Sequence, residues 1–174
     1  MRQIALKPQD VAVALKIALI GEGKRTFVAL ARALALSASD VHNSTQRAEQ
    51  AGIVAADRAD GLRVIKPALQ EFLLHGVRYA FPAVFGGISQ GIATAAAGPT
   101  LSGLLVAAPE NPTVWPYVHG KARGPSLCPL YPSAPEAAVK DHELYDFLTL
   151  IDAIRIGAAR DRELARGEIA KRLQ

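Results

Sequence analysis

The stretch from Thr26 to Val54, TFVALARALALSASDVHNSTQRAEQAGIV, leaves the chain few folds, because it reads as two helices joined by a tight turn and followed directly by a strand. The first helix is expected over Phe27 to Leu34, with Thr26 as its N-cap and Leu30, Ala31 and Leu34 on the buried face. Small Ala31 lets a second helix come close. That second helix is expected to start near Ser37 to Ser39, where hydroxyls cap free N–H groups and Asp40 meets the positive end of the dipole, and to stop at Gly52. Val41, Thr45 and Ala48 then point inward, leaving His42, Asn43, Gln46, Arg47 and Gln50 on an outer face without Asp or Glu. Arg, Asn and Gln pair bidentately with guanine and adenine edges in the major groove. The expectation is therefore a helix-turn-helix that binds double-stranded DNA, with Asn43, Gln46 and Arg47 at base edges and Ser37 and Ser39 at phosphates.

The flanks agree. Lys7 to Leu19 reads as a first helix, with Pro8 near N1 and Val11, Leu15, Ala18 and Leu19 on the face that crosses the pair. Ile53 to Ala55 and Leu62 to Ile65 flank an Asp60-Gly61 turn and read as a β-hairpin, a wing with Arg58 near its tip and Arg63 on its return strand. Both arginines are expected at phosphates or a narrow minor groove. Gly21 to Thr26 lacks the first glycine and the Ser/Thr of a phosphate loop, so no nucleotide is expected there.

Thr26, Leu30, Ala31, Leu34, Leu36, Ser37, Ser39, Val41, Gly52, Ile53 and Val54 together resemble the pattern of bacterial winged helix-turn-helix regulators of the MarR-like type, over roughly the first 75 residues. Ala29, Ala35 and Ala48 stand where that pattern carries Glu, Gly and Leu. The resemblance implies a transcriptional regulator.

Beyond the hairpin, Pro67 is expected to start a helix over Ala68 to Leu74 with Leu69, Phe72 and Leu73 in the core, closed by His75 and by Gly76 as its C′ residue. Val77 to Phe81 reads as a strand ending at Pro82. From Pro82 to Pro135 the chain holds 9 of its 11 prolines and many glycines, which excludes continuous helix, while its low charge and apolar pieces argue against disorder. An irregular arm or small β element is expected, with Trp115, Tyr117 and Tyr131 as core aromatics or partner anchors. After Pro135 the pattern is helical again: Asp141 caps a helix with Leu144, Phe147, Leu148, Ile151, Ile154 and Arg155 at 3-4 spacing, Gly157 interrupts it, and a charge-alternating helix runs to Leu173.

The fold class expected is mainly α with a small β wing: a winged helix-turn-helix domain over residues 1–78, a Pro/Gly-rich segment over 79–135, and C-terminal helices over 136–174. The apolar stripe and the last helix point to a homodimer formed mainly by residues 79–174, or to a protein partner for the C-terminal part. Of the formal +4 charge, the excess sits in residues 1–78, with 11 Lys/Arg against 7 Asp/Glu, which is compatible with a polyanionic partner, although many basic proteins bind none. Cys128 is the one cysteine, which excludes an intrachain disulfide and a thiolate zinc cluster and fits a reducing compartment. No signal peptide or membrane span is apparent, so a cytoplasmic protein without membrane contact is expected.

Catalysis is not expected. The four histidines, His42, His75, His119 and His142, lie far apart in sequence, with no paired-ligand spacing, and no nucleophile elbow is present. No catalytic residue, metal or cofactor is assigned. The runner-up reading is an antitoxin-like or complex-assembly protein-interaction module.

Overall fold

A computed structural model describes residues 4–20, 26–57, 61–105 and 111–174. Three helices come first, α1 (Pro8–Ile20), α2 (Phe27–Leu34) and α3 (Ala38–Gln50). Local chemistry sets their ends: the Thr26 side chain accepts from the Ala29 N–H at 3.2 Å, and the Ser37 side chain accepts from the Asp40 N–H at 3.0 Å. Between them Ala35 turns the chain in the left-handed region at φ 51°, and Gly52 at φ 72° ends α3. A hairpin follows, β1 (Val54–Asp57) against β2 (Gly61–Val64), antiparallel with Val54 opposite Val64.

The next segment departs from expectation. Helix α4 (Lys66–Glu71), a π-helical turn over Phe72–Gly76 and α5 (Val77–Ala80) follow one another without a break, so the strand expected over Val77 to Phe81 is helical. Gly76 does not stop the helix. A Cβ there would lie 2.9 Å from Cδ2 of Phe72, so the glycine makes room for a ring one turn earlier. Leu69 and Leu73 are buried as expected, whereas Phe72 is only half-buried.

The described residues of the Pro/Gly-rich segment include a small β element. Strand β3 (Phe85–Ala93) pairs antiparallel with β4 (Val114–Pro116) at one end and with β5 (Ala122–Leu127) along most of its length, and Val114 bridges Ser126 in parallel. Glycines permit the close packing: a Cβ on Gly91 would lie 1.9 Å from the Trp115 carbonyl oxygen. A short 3-10 turn (Ala95–Ala97) and helix α6 (Pro99–Ser102) lead away from β3. Trp115 and Tyr131 are core residues, while Tyr117 is half-buried at the surface.

Helices α7 (Ala134–Lys140), α8 (His142–Ile156) and α9 (Ala159–Arg172) complete the chain. The Asp141 cap forms as expected, its Oδ1 accepting from the Leu144 N–H at 3.1 Å. Here lies the largest correction. Leu144, Phe147, Leu148, Ile151 and Ile154 are all buried within this one chain, in a core that also holds Val11, Leu15, Leu30 and Leu34. The stripe therefore supplies no dimer surface. Helix α9 likewise packs on its own α8 through Ala165, Ile169 and Leu173, and Arg172 reaches Asp146 at 3.1 Å.

Polar contacts join the apolar core in tying the first helices to the last ones. Lys16 Nζ donates to Asp141 Oδ2 at 2.5 Å, and Ser133 Oγ donates to the Leu34 carbonyl at 3.2 Å. A carboxylate is buried where the β element meets α8. Asp152 accepts from Trp115 Nε1 at 2.6 Å, Thr94 Oγ1 at 2.8 Å and Arg155 Nη1 at 2.7 Å, and Arg155 Nε donates in turn to the Phe81 carbonyl. Burial pushes the Asp152 carboxyl above its usual value, against the opposing pull of Arg155 and the three donors. No helix among the described residues is long and apolar enough to cross a membrane.

Candidate nucleic-acid interface

Helix α3 rests on α1 and α2 through Val41, Ser44, Thr45 and Ala48, all buried. Its other side presents His42, Asn43, Gln46 and Gln50, exposed as expected, with Ser39 exposed in the first turn. The His42 ring meets Phe27 of α2 edge to face, with centroids 5.2 Å apart. Ser37 is also exposed, but its hydroxyl is committed to the cap: besides accepting from the Asp40 N–H it donates to Asp40 Oδ2 at 2.6 Å.

Arg47 departs from the outward position read from the helical period. Its Nε and Nη2 donate to both oxygens of Asp10, at 2.7 and 2.6 Å, and Nη2 also reaches Ser44 Oγ at 3.1 Å. Asp10 is fully buried, and the Arg47 side chain keeps 15% of its exposure. The hydrogen bond that Arg47 donates to Asp10 raises the Arg47 pKa, so the guanidinium stays charged and engaged. The outer face is not free of acids either. Glu49 is exposed and, with Asn43, Gln46, Gln50 and Lys7, lines a groove of ≈ 690 Å³ along which Ile4 and Ala5 also lie. Asp40 is exposed at the helix start.

In the hairpin, Arg63 stands on β2 opposite Ala55 and is exposed. Arg58, expected near the tip, lies outside the described residues, as does most of the Gly21 to Thr26 run.

The fold also brings together groups that are distant in sequence. His119 and His142 line one cleft of ≈ 530 Å³ with Tyr117, Lys121 and Tyr145, between the β element and the α7–α8 corner. Their 23-residue separation carries no local signal, which is why a linear reading keeps them apart. The Tyr145 hydroxyl donates to the Ala93 carbonyl at 2.6 Å, and burial pushes its pKa up to about 12. Among the described residues no group of three or more His, Cys, Asp or Glu side chains is placed to hold a metal ion, and Cys128 is exposed. No protein family, curated protein or solved structure matches the chain.

Proposed function

We propose that this chain is a sequence-specific double-stranded-DNA-binding regulator that enters the major groove with α3 as a winged helix-turn-helix of the MarR-like type. The observation that carries the reading is the combination on α3: a capped helix anchored by Val41, Thr45 and Ala48, with His42, Asn43, Gln46 and Gln50 exposed beside a β-hairpin. Amide side chains recognise adenine edges bidentately. Base reading thus falls to Asn43, Gln46 and Gln50, while Arg47 holds the helix in place through Asp10. Ser39, Arg58 and Arg63 are the candidates for backbone contact.

One such helix reads only a few base pairs, so the regulator acts as a homodimer whose two helices meet two half-sites. With the α8 stripe internal, the second copy has to meet another part of residues 79–174. Mobility shift on random duplex at low salt tests the DNA reading, and selection of a preferred site from a randomised pool tests its specificity. Absence of any shift at low salt overturns it. The second reading, an antitoxin-like or complex-assembly module in the cytoplasm, is favoured by the uncovered side chains of Tyr79, Val84, Phe85 and Ile88, 58–79% exposed around the start of β3. Stable monomers in light scattering at tens of micromolar, with or without DNA, remove the dimer from the proposal.

A further inference from the structure

The cleft between the β element and the α7–α8 corner is unused by the DNA reading, and its chemistry is of one kind. At ≈ 530 Å³ it falls within the range of small-molecule sites, about 300–1,000 Å³. Its apolar lining comes from Ile92 and Ala93 of β3 and from Ala138 and Val139 of α7. The rings of Tyr117 and His119 on its wall meet edge to face, with centroids 5.6 Å and planes 77° apart. Lys121 and His142 add nitrogen donors, and no carboxylate lines the cleft.

The loop that carries Tyr117, His119 and Lys121 is built in advance. Gln90 Nε2 donates to the carbonyls of Val118 and Gly120, at 3.2 and 2.8 Å, and the Gly120 N–H donates to the Tyr117 carbonyl at 3.0 Å. Gly120 also sits so close to β3 that a Cβ on it would lie 2.0 Å from the Gly91 carbonyl oxygen. A loop held this tightly loses little freedom when a ligand arrives, which is what a binding site needs.

We propose that this cleft binds a nucleoside monophosphate. The base stacks on the Tyr117 ring over the apolar lining, an arrangement that tolerates any base because every base has a π-face. The phosphate meets Lys121 and the imidazoles of His119 and His142, whose N–H groups suit a dianion with three terminal oxygens. Tyr145 supplies only its ring, since its hydroxyl is spent on Ala93.

The test is calorimetric titration of the full chain with AMP, GMP, CMP and UMP, each beside its nucleoside and beside inorganic phosphate. Trp115 gives a second readout: it is the single tryptophan, and its ring lies 5.8 Å from that of Tyr145. At least one mononucleotide is expected to bind, with its nucleoside and phosphate alone each weaker by about tenfold or more. Lys121→Ala loses a similar factor and Lys121→Arg retains binding. Val139→Phe, at an exposed position that a larger ring fills without disturbing the core, abolishes it. Gln46→Ala leaves it unchanged, which separates this site from the DNA face. The proposal is overturned if no mononucleotide binds up to millimolar concentration, if a nucleoside binds as tightly as its nucleotide, or if Lys121→Ala and Val139→Phe, both folded by circular dichroism, bind as the parent does.

Discussion

Arg47 and Asp10 are joined across 37 residues of sequence by two hydrogen bonds that use both carboxylate oxygens, and the acid is wholly buried between α1 and α3. Asp10 Oδ2 also accepts from the Lys7 N–H at 2.8 Å, so one carboxylate caps the first helix and fixes the third.

Breaking such a pair from one side strands a charge. Arg47→Ala is expected to destabilise the fold by about 3 kcal/mol, the usual scale for a buried acid that loses its cation. Asp10→Ala with Arg47→Ala should recover part of that loss, because neither charge is then left alone. Urea unfolding of the two single variants and the double variant measures the coupling. Additive losses would show that the two residues act independently.

A second buried charge staples the β element to α8. Asp152→Asn puts an amide N–H₂ where every neighbour is a donor, Trp115, Thr94 or Arg155, and leaves Arg155 without its counter-charge. A loss of about 3 kcal/mol is expected at neutral pH. The pH dependence has a definite sign. Since burial raises the folded Asp152 above its unfolded value of 3.8, the folded state holds the proton more tightly. That contribution is fully present below the unfolded value and is lost as pH rises through the folded one. The difference in unfolding free energy between parent and variant, followed upward from pH 3, should therefore carry this fall, and a pH-independent difference would contradict it.

What was legible in the chain was short-range. Thr26, Ser37 and Asp141 announce their helices because a cap is a contact over three residues, and the bounds of α2 follow from that chemistry. Gly52 marks a stop correctly and Gly76 does not, since what decides the second is the Phe72 ring that occupies the place of a Cβ. The α8 stripe was visible, but whether a stripe faces a partner or the chain's own α1 depends on tertiary packing that no period encodes. Arg47 misled for the same reason. Helical period places it beside Gln46 and Gln50, and its partner lies in a different helix. The His119–His142 cleft is likewise a product of topology alone.

Ala35 occupies the left-handed region at φ 51°, ψ 43°, where it ends α2 and opens the turn into α3. A side chain there costs roughly 1–2 kcal/mol that glycine avoids. Ala35→Gly is expected to stabilise the protein by roughly 0.5–1 kcal/mol, the remainder being offset by the greater freedom of glycine in the unfolded chain. Thermal unfolding checks it, and a lower midpoint would mean that the turn relies on the Ala35 methyl group.

The first 78 residues are not expected to fold alone. In α1 every residue from Asp10 to Leu15 is buried, and the same core takes in Leu144, Phe147 and Leu148 of α8. Removing residues 79–174 would uncover that surface and delete the partners of Lys16 and of the Leu34 carbonyl. Each large apolar side chain left in water forfeits about 2 kcal/mol, and a few of them exceed the whole stability of a small domain. A 1–78 fragment should show no cooperative unfolding transition by circular dichroism. A sharp transition would establish an independent N-terminal domain.

The proposed DNA face separates two kinds of failure. Gln46 is exposed on α3 and its amide makes no hydrogen bond among the described residues, so Gln46→Ala should leave stability unchanged within about 0.5 kcal/mol. If it reads a base edge, the same change costs on the order of 1–3 kcal/mol on the preferred site and little on scrambled duplex, because only a base contact carries sequence information. Arg58→Ala should weaken both duplexes alike and reduce the salt slope by about one ion, since a phosphate contact releases a counterion whatever the sequence. Arg47→Ala should lose affinity on both duplexes in parallel with its lost stability, because its charge anchors α3 to Asp10. Titration of the three variants against both duplexes at several salt concentrations distinguishes these patterns. Equal affinity of parent and Gln46→Ala on the preferred site would remove α3 as the reading element and leave the protein-interaction reading in its place.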